Sequence, residues 1–154
     1  MPTFRQAVAL LFEPAPAFAV RLAAARPFRS DHDFLTAAAR IAHGMPAPDQ
    51  LELINAHPRL GARDRVSAAS RREQGVGDDP VDRELADLNA AYEARFGFRY
   101  LVFVRGRSRA ELLPGFRAAL AADRETELRR ALDDTLAIAA DRLHFLRSQP
   151  GRAA

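Results

Sequence analysis

The longest apolar stripe in the sequence lies near its C-terminal end and most strongly constrains the fold. Apolar residues recur there at positions i, i+4, i+8, i+11, i+15 and i+18, as Leu128, Leu132, Leu136, Ala139, Leu143 and Leu146. This spacing is typical of one face of a long helix. Asp123 is a suitable N-cap and Pro150-Gly151 a suitable end, so we predict a helix over about 123–148.

Helical periodicity also dominates most of the remaining chain. Asp79-Pro80 has the pattern of a cap followed by a first helical residue, and Leu85, Leu88 and Tyr92 then share a face. Pro58 stops a short helix that begins at Asp49, because the residue before a proline avoids the α conformation. Besides the C-terminal helix, we predict helices over 3–11, 16–25, 30–43, 49–56 and 80–95.

Residues 98–104, FRYLVFV, resist the helical reading. Their β-prone, apolar composition favours a buried strand, yet the chain has no second strand-like run to pair with it. We therefore predict an extended segment packed among helices, whose unpaired backbone groups are available to a ligand. The predicted fold class is all-α, with residues 1–154 forming a single-domain helical bundle in which this one segment, about 98–104, lines the active site.

Ser108 and Glu111 form a capping-box pattern that should open one more helix, carrying Leu112, Phe116 and Leu120. Pro114 falls inside it. A proline beyond the first turn removes a backbone hydrogen bond and clashes with the preceding turn, so we expect a kink or a delayed start.

Composition excludes several kinds of chemistry. All 23 basic residues are arginine, and the chain has no cysteine, so lysine Schiff bases, thiolate nucleophiles and disulfides are impossible. The net charge is only +3, and acidic residues interleave the arginines, which argues against a nucleic-acid-binding surface. The sequence also has no nucleotide-binding glycine loop, hydrolase elbow, metal-ligand spacing, signal peptide or membrane span. We expect a soluble cytoplasmic protein with no metal.

The four histidines are the leading acid–base candidates, because only histidine has an unperturbed pKa near neutrality. His32, His43 and His144 fall at predicted helix ends or beside polar faces, where a solvated role is the simpler interpretation. His57 lies in Asn55-Ala56-His57-Pro58, at a helix stop where a rigid turn can aim its side chain.

Three segments together resemble one enzyme family. HPRLG at 57–61, SRREQ at 70–74 and LNAAYEARFGFRYLVFVRGRS at 88–108 are similar, in this order, to the 2-oxo-4-hydroxy-4-carboxy-5-ureidoimidazoline (OHCU) decarboxylases of urate degradation. The resemblance spans almost the whole chain. Arg59 follows His-Pro where many members have aspartate, a form that we associate with the bacterial-type branch.

The resemblance implies an all-helical, cofactor-free enzyme, commonly a homodimer, that converts the small molecule OHCU to (S)-allantoin. It implies that His57 is the catalytic proton donor and that Glu73 is its catalytic partner. The substrate-binding residues that it implies are Pro58, Ser70, Arg71, Arg72, Glu73, Gln74, Tyr100, Leu101, Val102, Phe103, Val104 and Arg142.

These residue types suit the chemistry. The ring C=N of the substrate can accept the electron pair left by CO₂, so no cofactor is needed for this purpose. The enzyme then has to orient the substrate and protonate the intermediate. His57 then needs to be cationic or hydrogen-bonded to an acid, and Glu73 would raise its pKa. Arg142 follows Ile138 by four residues beside the leucine stripe, so its guanidinium should emerge at the edge of an apolar face. Arg142 therefore has two possible roles: it contacts the substrate or a carboxylate, or its side chain covers the apolar face with its charged end in water.

Two alternatives to the decarboxylase stay open on the sequence. One is an acid–base lyase or isomerase acting on a related ureido heterocycle. The other is a helical binding module that keeps the pocket without turnover.

Overall fold

The computed structural model describes residues 1–61 and 79–149, which form seven helices and no strand. In chain order these are α1 (Phe4–Phe12), α2 (Pro16–Ala24), α3 (Asp31–Gly44), α4 (Ala47–Asn55), α5 (Asp79–Phe96), α6 (Arg109–Ala119) and α7 (Arg124–Arg147). The all-α prediction is confirmed, and the helix bounds differ from the predicted ones by two residues or fewer. No helix in this part of the chain is long and apolar enough to cross a membrane.

Side-chain caps explain where several of the helices begin. Thr3 and Gln6 form a capping box at α1, in which each side chain accepts a hydrogen bond from the other's backbone amide, at 3.1 and 2.8 Å. Single side-chain caps open α3, α6 and α7, at Ser30, Ser108 and Asp123. The predicted cap at Asp123 is confirmed.

Pro114 lies inside α6, and the expected delayed start is wrong. The Ser108 hydroxyl accepts a hydrogen bond from the Glu111 amide at 3.1 Å, and the helix runs from Arg109 to Ala119 through the proline. Pro114 is exposed, and so is Ala110, whose carbonyl the missing amide would have met. Water can satisfy that carbonyl, which explains why the helix starts at its cap.

The long helix α7 packs against α1, α3 and α4, while α2 packs against α1, α3 and α4, and α5 packs against α6. Aromatic contacts form two groups, one around Phe12 in the N-terminal helices and one around Tyr92. In the second group, the Tyr100 and Phe116 rings stack with their centroids 3.7 Å apart. Residues 98–104 thus lie between α5, α6 and α7, in neither helix nor strand, as predicted.

Candidate active site

His57 lies in the turn directly after α4 and its side chain is buried. Its Nδ1 atom is 3.4 Å from the Leu53 carbonyl oxygen, which can only accept a hydrogen bond. The neutral ring therefore carries its proton on Nδ1 and keeps the lone pair on Nε2. Within residues 1–61 and 79–149, Nε2 is buried and has no hydrogen-bond partner. Because buried polar atoms are nearly always paired, this open base atom points to a ligand.

The surroundings of His57 favour its neutral form. Burial lowers the pKa of His57 from 6.5 to about 4, with the positive charge of Arg142 acting in the same direction. The charge of Glu13 and the Leu53 carbonyl oppose this only in part. Among the described groups, burial outweighs the carboxylate of Glu13, so they favour a neutral His57 in the free protein. Glu73, the predicted acidic partner, lies outside the described residues.

Arg142 is buried, which corrects the expectation that its guanidinium emerges at the edge of an apolar face. Its Nη2 atom lies 3.3 Å from Glu13 Oε1, and its Nη1 atom donates to the carbonyls of Leu10 and Leu11 at 3.4 and 3.3 Å. An arginine that covers an apolar face keeps its charged end in water. The surface-covering role is therefore excluded, and among the described residues Arg142 pairs with the carboxylate of Glu13.

Glu13 holds an unusual backbone conformation directly after α1. Its φ is 62° and its ψ is 168°, a region that glycine enters readily and other residues seldom do. Such a conformation costs about 1–3 kcal/mol and persists only where surrounding contacts impose it. The buried ion pair with Arg142 is such a contact. Glu13 therefore connects α1 to α7 close to His57, and its own backbone is strained.

The segment 98–104 is fastened to the turn that carries His57. The Arg99 amide donates to Asn55 Oδ1 at 3.0 Å. The Arg99 guanidinium donates to the carbonyls of Asn55 and His57, at 2.8 and 3.1 Å. These three bonds hold the start of the segment against the end of α4, so the two predicted parts of the site lie side by side.

The expectation of a wholly unpaired backbone in 100–104 is only partly correct. The Leu101 carbonyl accepts from Arg130 at 2.9 Å, and the Phe103 amide donates to Asp134 at 3.1 Å. The carbonyls of Phe103 and Val104 accept from Arg107 at 2.7 and 3.0 Å. Four amides in the segment donate to no acceptor in the described part of the chain, namely those of Tyr100, Leu101, Val102 and Val104.

The remaining predicted site residues divide into two groups. Pro58 is half-buried beside His57; Tyr100, Leu101 and Val104 are buried, and Val102 and Phe103 are half-buried. Burial raises the pKa of Tyr100 to about 12 against the opposing charge of Arg130, so its hydroxyl stays protonated. The second group lies outside the described residues and comprises Ser70, Arg71, Arg72, Glu73 and Gln74.

A family model described as OHCU decarboxylase matches residues 1–144. The chain belongs to this family. The predicted family is therefore confirmed over nearly the whole sequence, on the same residues that place His57, Arg142 and the segment 98–104 together.

Named relatives of the family match closely in length. The 2-oxo-4-hydroxy-4-carboxy-5-ureidoimidazoline decarboxylase of Haloferax volcanii is 31% identical over 146 residues, which cover 92% of this chain and 87% of that protein. The decarboxylase of the same name in Mus musculus is 31% identical over 142 residues, covering 86% and 80%.

A longer relative and a solved structure complete the comparison. The uric acid degradation bifunctional protein PucL of Bacillus subtilis is 34% identical over 154 residues, and this chain spans only 31% of its length. A crystal structure described as OHCU decarboxylase in the presence of (S)-allantoin superposes with a TM-score of 0.75 at 24% identity, covering 88% of this chain and 93% of that one. This likeness shows that the chain has the family's fold.

Sequence reasoning missed three residues that shape the site. The sequence patterns singled out none of these residues, which are Glu13, Arg99 and Asp134. An acid between Phe12 and Pro14 is the one local signal that could have found Glu13, because a charge rarely enters an apolar run without a partner. Nothing local marks Arg99 or Asp134, since their partners lie 42–44 and 31 residues away.

Proposed function

We propose that this chain removes CO₂ from OHCU to give (S)-allantoin, with His57 as its acid–base group and Glu73 as the catalytic partner of His57. The observation that carries the proposal is the buried Nε2 of His57, which has no partner in the described residues and lies in the field of Arg142. Family membership supplies the substrate class.

The reaction needs no external electron acceptor. Loss of CO₂ leaves an electron pair on the ring carbon that carried the carboxylate and the hydroxyl. The adjacent ring C=N accepts this pair, so a C=C bond forms and the ring nitrogen takes a proton from water. The resulting enol becomes allantoin when its hydroxyl loses a proton and the neighbouring carbon gains one. One proton is consumed overall, because a carboxylate anion leaves as neutral CO₂.

A neutral His57 suits the second half of this sequence. Its Nε2 can take the hydroxyl proton of the enol, and the imidazolium so formed can deliver a proton to one face of the neighbouring carbon. Delivery from a fixed side chain sets the stereochemistry.

Substrate contacts in the proposal come from two described regions and one outside them. Arg142 balances the carboxylate of the substrate, and the amides in 100–104 bind ring carbonyl groups, beside a wall formed by Pro58. The proposal further assigns Ser70, Glu73 and Gln74 to the ureido group and the ring. It assigns Arg71 and Arg72, with Arg142, to the carboxylate of the substrate.

The test generates OHCU freshly from urate with the two preceding enzymes and follows optically active allantoin by circular dichroism. We expect wild-type protein to exceed the spontaneous rate, and His57→Asn to lower that rate about 100-fold or more, the usual contribution of a positioned proton donor. His144→Asn is the matched control, because His144 is exposed on α7.

Two outcomes would separate the parts of the proposal. A wild-type rate equal to the spontaneous one would remove the function. A fully active His57→Asn variant would remove the proton-transfer role and leave the function standing.

The proposal also includes the organisation of the protein. Residues 1–154 form a single OHCU decarboxylase domain, the protein is a cytoplasmic homodimer, and it works without a cofactor. Light scattering on the purified protein measures the oligomeric state directly.

A further inference from the structure

Arg130 lies at the centre of a partly buried polar network on α7. Its Nη1 atom donates to the Leu101 carbonyl at 2.9 Å and to Asp134 Oδ2 at 3.0 Å. Its Nε and Nη2 atoms donate to Glu127, a buried carboxylate that also accepts from the Tyr92 hydroxyl at 2.8 Å. One guanidinium thus joins two carboxylates and a backbone carbonyl of the segment 98–104.

The network contacts the segment at two alternate residues. Arg130 meets the Leu101 carbonyl, and Asp134 meets the Phe103 amide at 3.1 Å. In an extended chain, the amide and carbonyl of one residue share an edge, and the next residue presents its own groups to the opposite edge. The two contacts therefore fix one edge against α7 and turn Val102, between them, toward the other edge.

The backbone amides of the segment that have no acceptor in the described protein are available to bind a ligand. Within the described residues, the amides of Tyr100, Leu101, Val102 and Val104 donate no hydrogen bond, and those at 100, 102 and 104 alternate with the two residues that α7 holds. Helix and sheet hydrogen bonds do not fix this segment, so it requires an external restraint to keep these amides in place for a ligand. Arg130 and Asp134 supply that restraint from a single helix turn.

We infer that Arg130 and Asp134 are positioning residues, which hold the segment 98–104 so that its alternate amides bind the substrate. This inference rests on the proposed function, and it concerns residues that touch the segment and not the substrate. Arg130 and Asp134 act on substrate affinity through the backbone, while His57 acts on the chemical step.

The chain offers neighbouring matched controls for both residues. Arg129 precedes Arg130 and forms an exposed pair with Glu125, and Asp133 precedes Asp134 and forms an exposed pair with His43. Arg130→Lys keeps the charge but cannot reach both carboxylates and the carbonyl together. Arg129→Lys is the control for Arg130→Lys, because it makes the same chemical change at a residue that pairs with Glu125. In the same way, Asp133→Asn is the control for Asp134→Asn.

The first measurement is steady-state decarboxylation of freshly generated OHCU. We expect Arg130→Lys to raise KM about tenfold with kcat within about twofold of wild type, because an interaction made equally in the ground and transition states affects only KM. Asp134→Asn should raise KM about threefold, since an amide oxygen still accepts from Phe103. Arg129→Lys and Asp133→Asn should match wild type.

The second measurement is amide hydrogen exchange, which requires no turnover. Amides in 99–104 should exchange faster in Arg130→Lys than in Arg129→Lys, and added (S)-allantoin should slow their exchange in wild type. Equal KM and equal exchange in the two lysine variants would overturn the inference. A lower kcat with unchanged KM would also overturn it, because that pattern reports a smaller folded fraction. A wild type without activity would overturn the proposed function first, and the inference with it.

Discussion

Two arginines on α7 contrast in burial and in the partners they meet, since Arg130 is half-buried and Arg142 is buried. Arg130 makes contacts of 2.9 to 3.2 Å with two carboxylates and a carbonyl. Arg142, twelve residues and about 18 Å further along the helix, contacts the described Glu13, Leu10 and Leu11 at 3.3 Å or more. Arg130 thus connects α7 to the segment 98–104, whereas Arg142 connects α7 to the end of α1.

The difference matches the roles that we propose for the two arginines. Arg130 sets the shape of a backbone segment and gains from tight contacts that persist without substrate. Arg142 lies close enough to His57 to act on it electrostatically, where its positive charge can meet the carboxylate of the substrate. One helix can therefore support a backbone segment near one end and supply a charge to the site near the other.

Breaking the Arg142 pair should have the largest effect on stability. Arg142→Met leaves Glu13 as a buried charge, and we expect it to lower the free energy of unfolding by about 3–5 kcal/mol in urea titrations. The double variant Glu13→Gln/Arg142→Met removes both charges and should recover at least about half of that loss.

Activity measurements distinguish a structural role of the Glu13–Arg142 pair from a role of Arg142 in substrate binding. The double variant should stay inactive although it folds, because the substrate carboxylate has lost its counter-charge. An Arg142→Met protein as stable as wild type would show that Glu13 is not a buried partner, and an active double variant would remove Arg142 from the site.

The lowered pKa of His57 predicts that the free energy of unfolding depends on pH, and this effect is the next largest. The unfolded chain binds this proton near pH 6.5 and the folded protein near pH 4, so folding excludes the proton between these values. Stability should fall as pH drops from about 6.5 to 4, by about 3 kcal/mol from this group.

Paired unfolding measurements on wild type and His57→Asn isolate that contribution. Asparagine does not titrate, so the free-energy difference between the two proteins should change by about 3 kcal/mol between pH 7 and pH 4. A difference that stays constant with pH would mean that His57 is not desolvated.

Local sequence patterns predicted the helices well and the site unevenly. The caps at Ser30, Ser108 and Asp123 and the stop at Pro58 are encoded within a few residues of each helix end, so the bounds followed. The helix stop at Pro58 singled out His57, β-prone composition singled out the segment 98–104, and the family resemblance implied their roles.

Long-range contacts explain what sequence reasoning could not predict. The charge of His57 depends on burial and on Arg142, 85 positions along the chain, neither of which a helix pattern reveals. The burial of Arg142 depends on Glu13, at the opposite end of the sequence. Spacing beside the leucine stripe located Arg142 on the correct helix but misjudged its exposure, because α1 covers the face that the stripe leaves open.

The smallest expected effect concerns the hydrogen bond between Tyr92 and Glu127, which also pairs with Arg130. Tyr92→Phe removes one hydrogen bond to Glu127 while Arg130 still pairs that carboxylate, so we expect a loss of about 2 kcal/mol in the free energy of unfolding. The other tyrosine of the chain is the control. The Tyr100 hydroxyl donates to no acceptor in residues 1–61 and 79–149, so Tyr100→Phe should change stability by less than about 0.5 kcal/mol. Both variants keep the aromatic ring, so equal losses would mean that the hydrogen bond to Glu127 adds no specific stability to this part of α7.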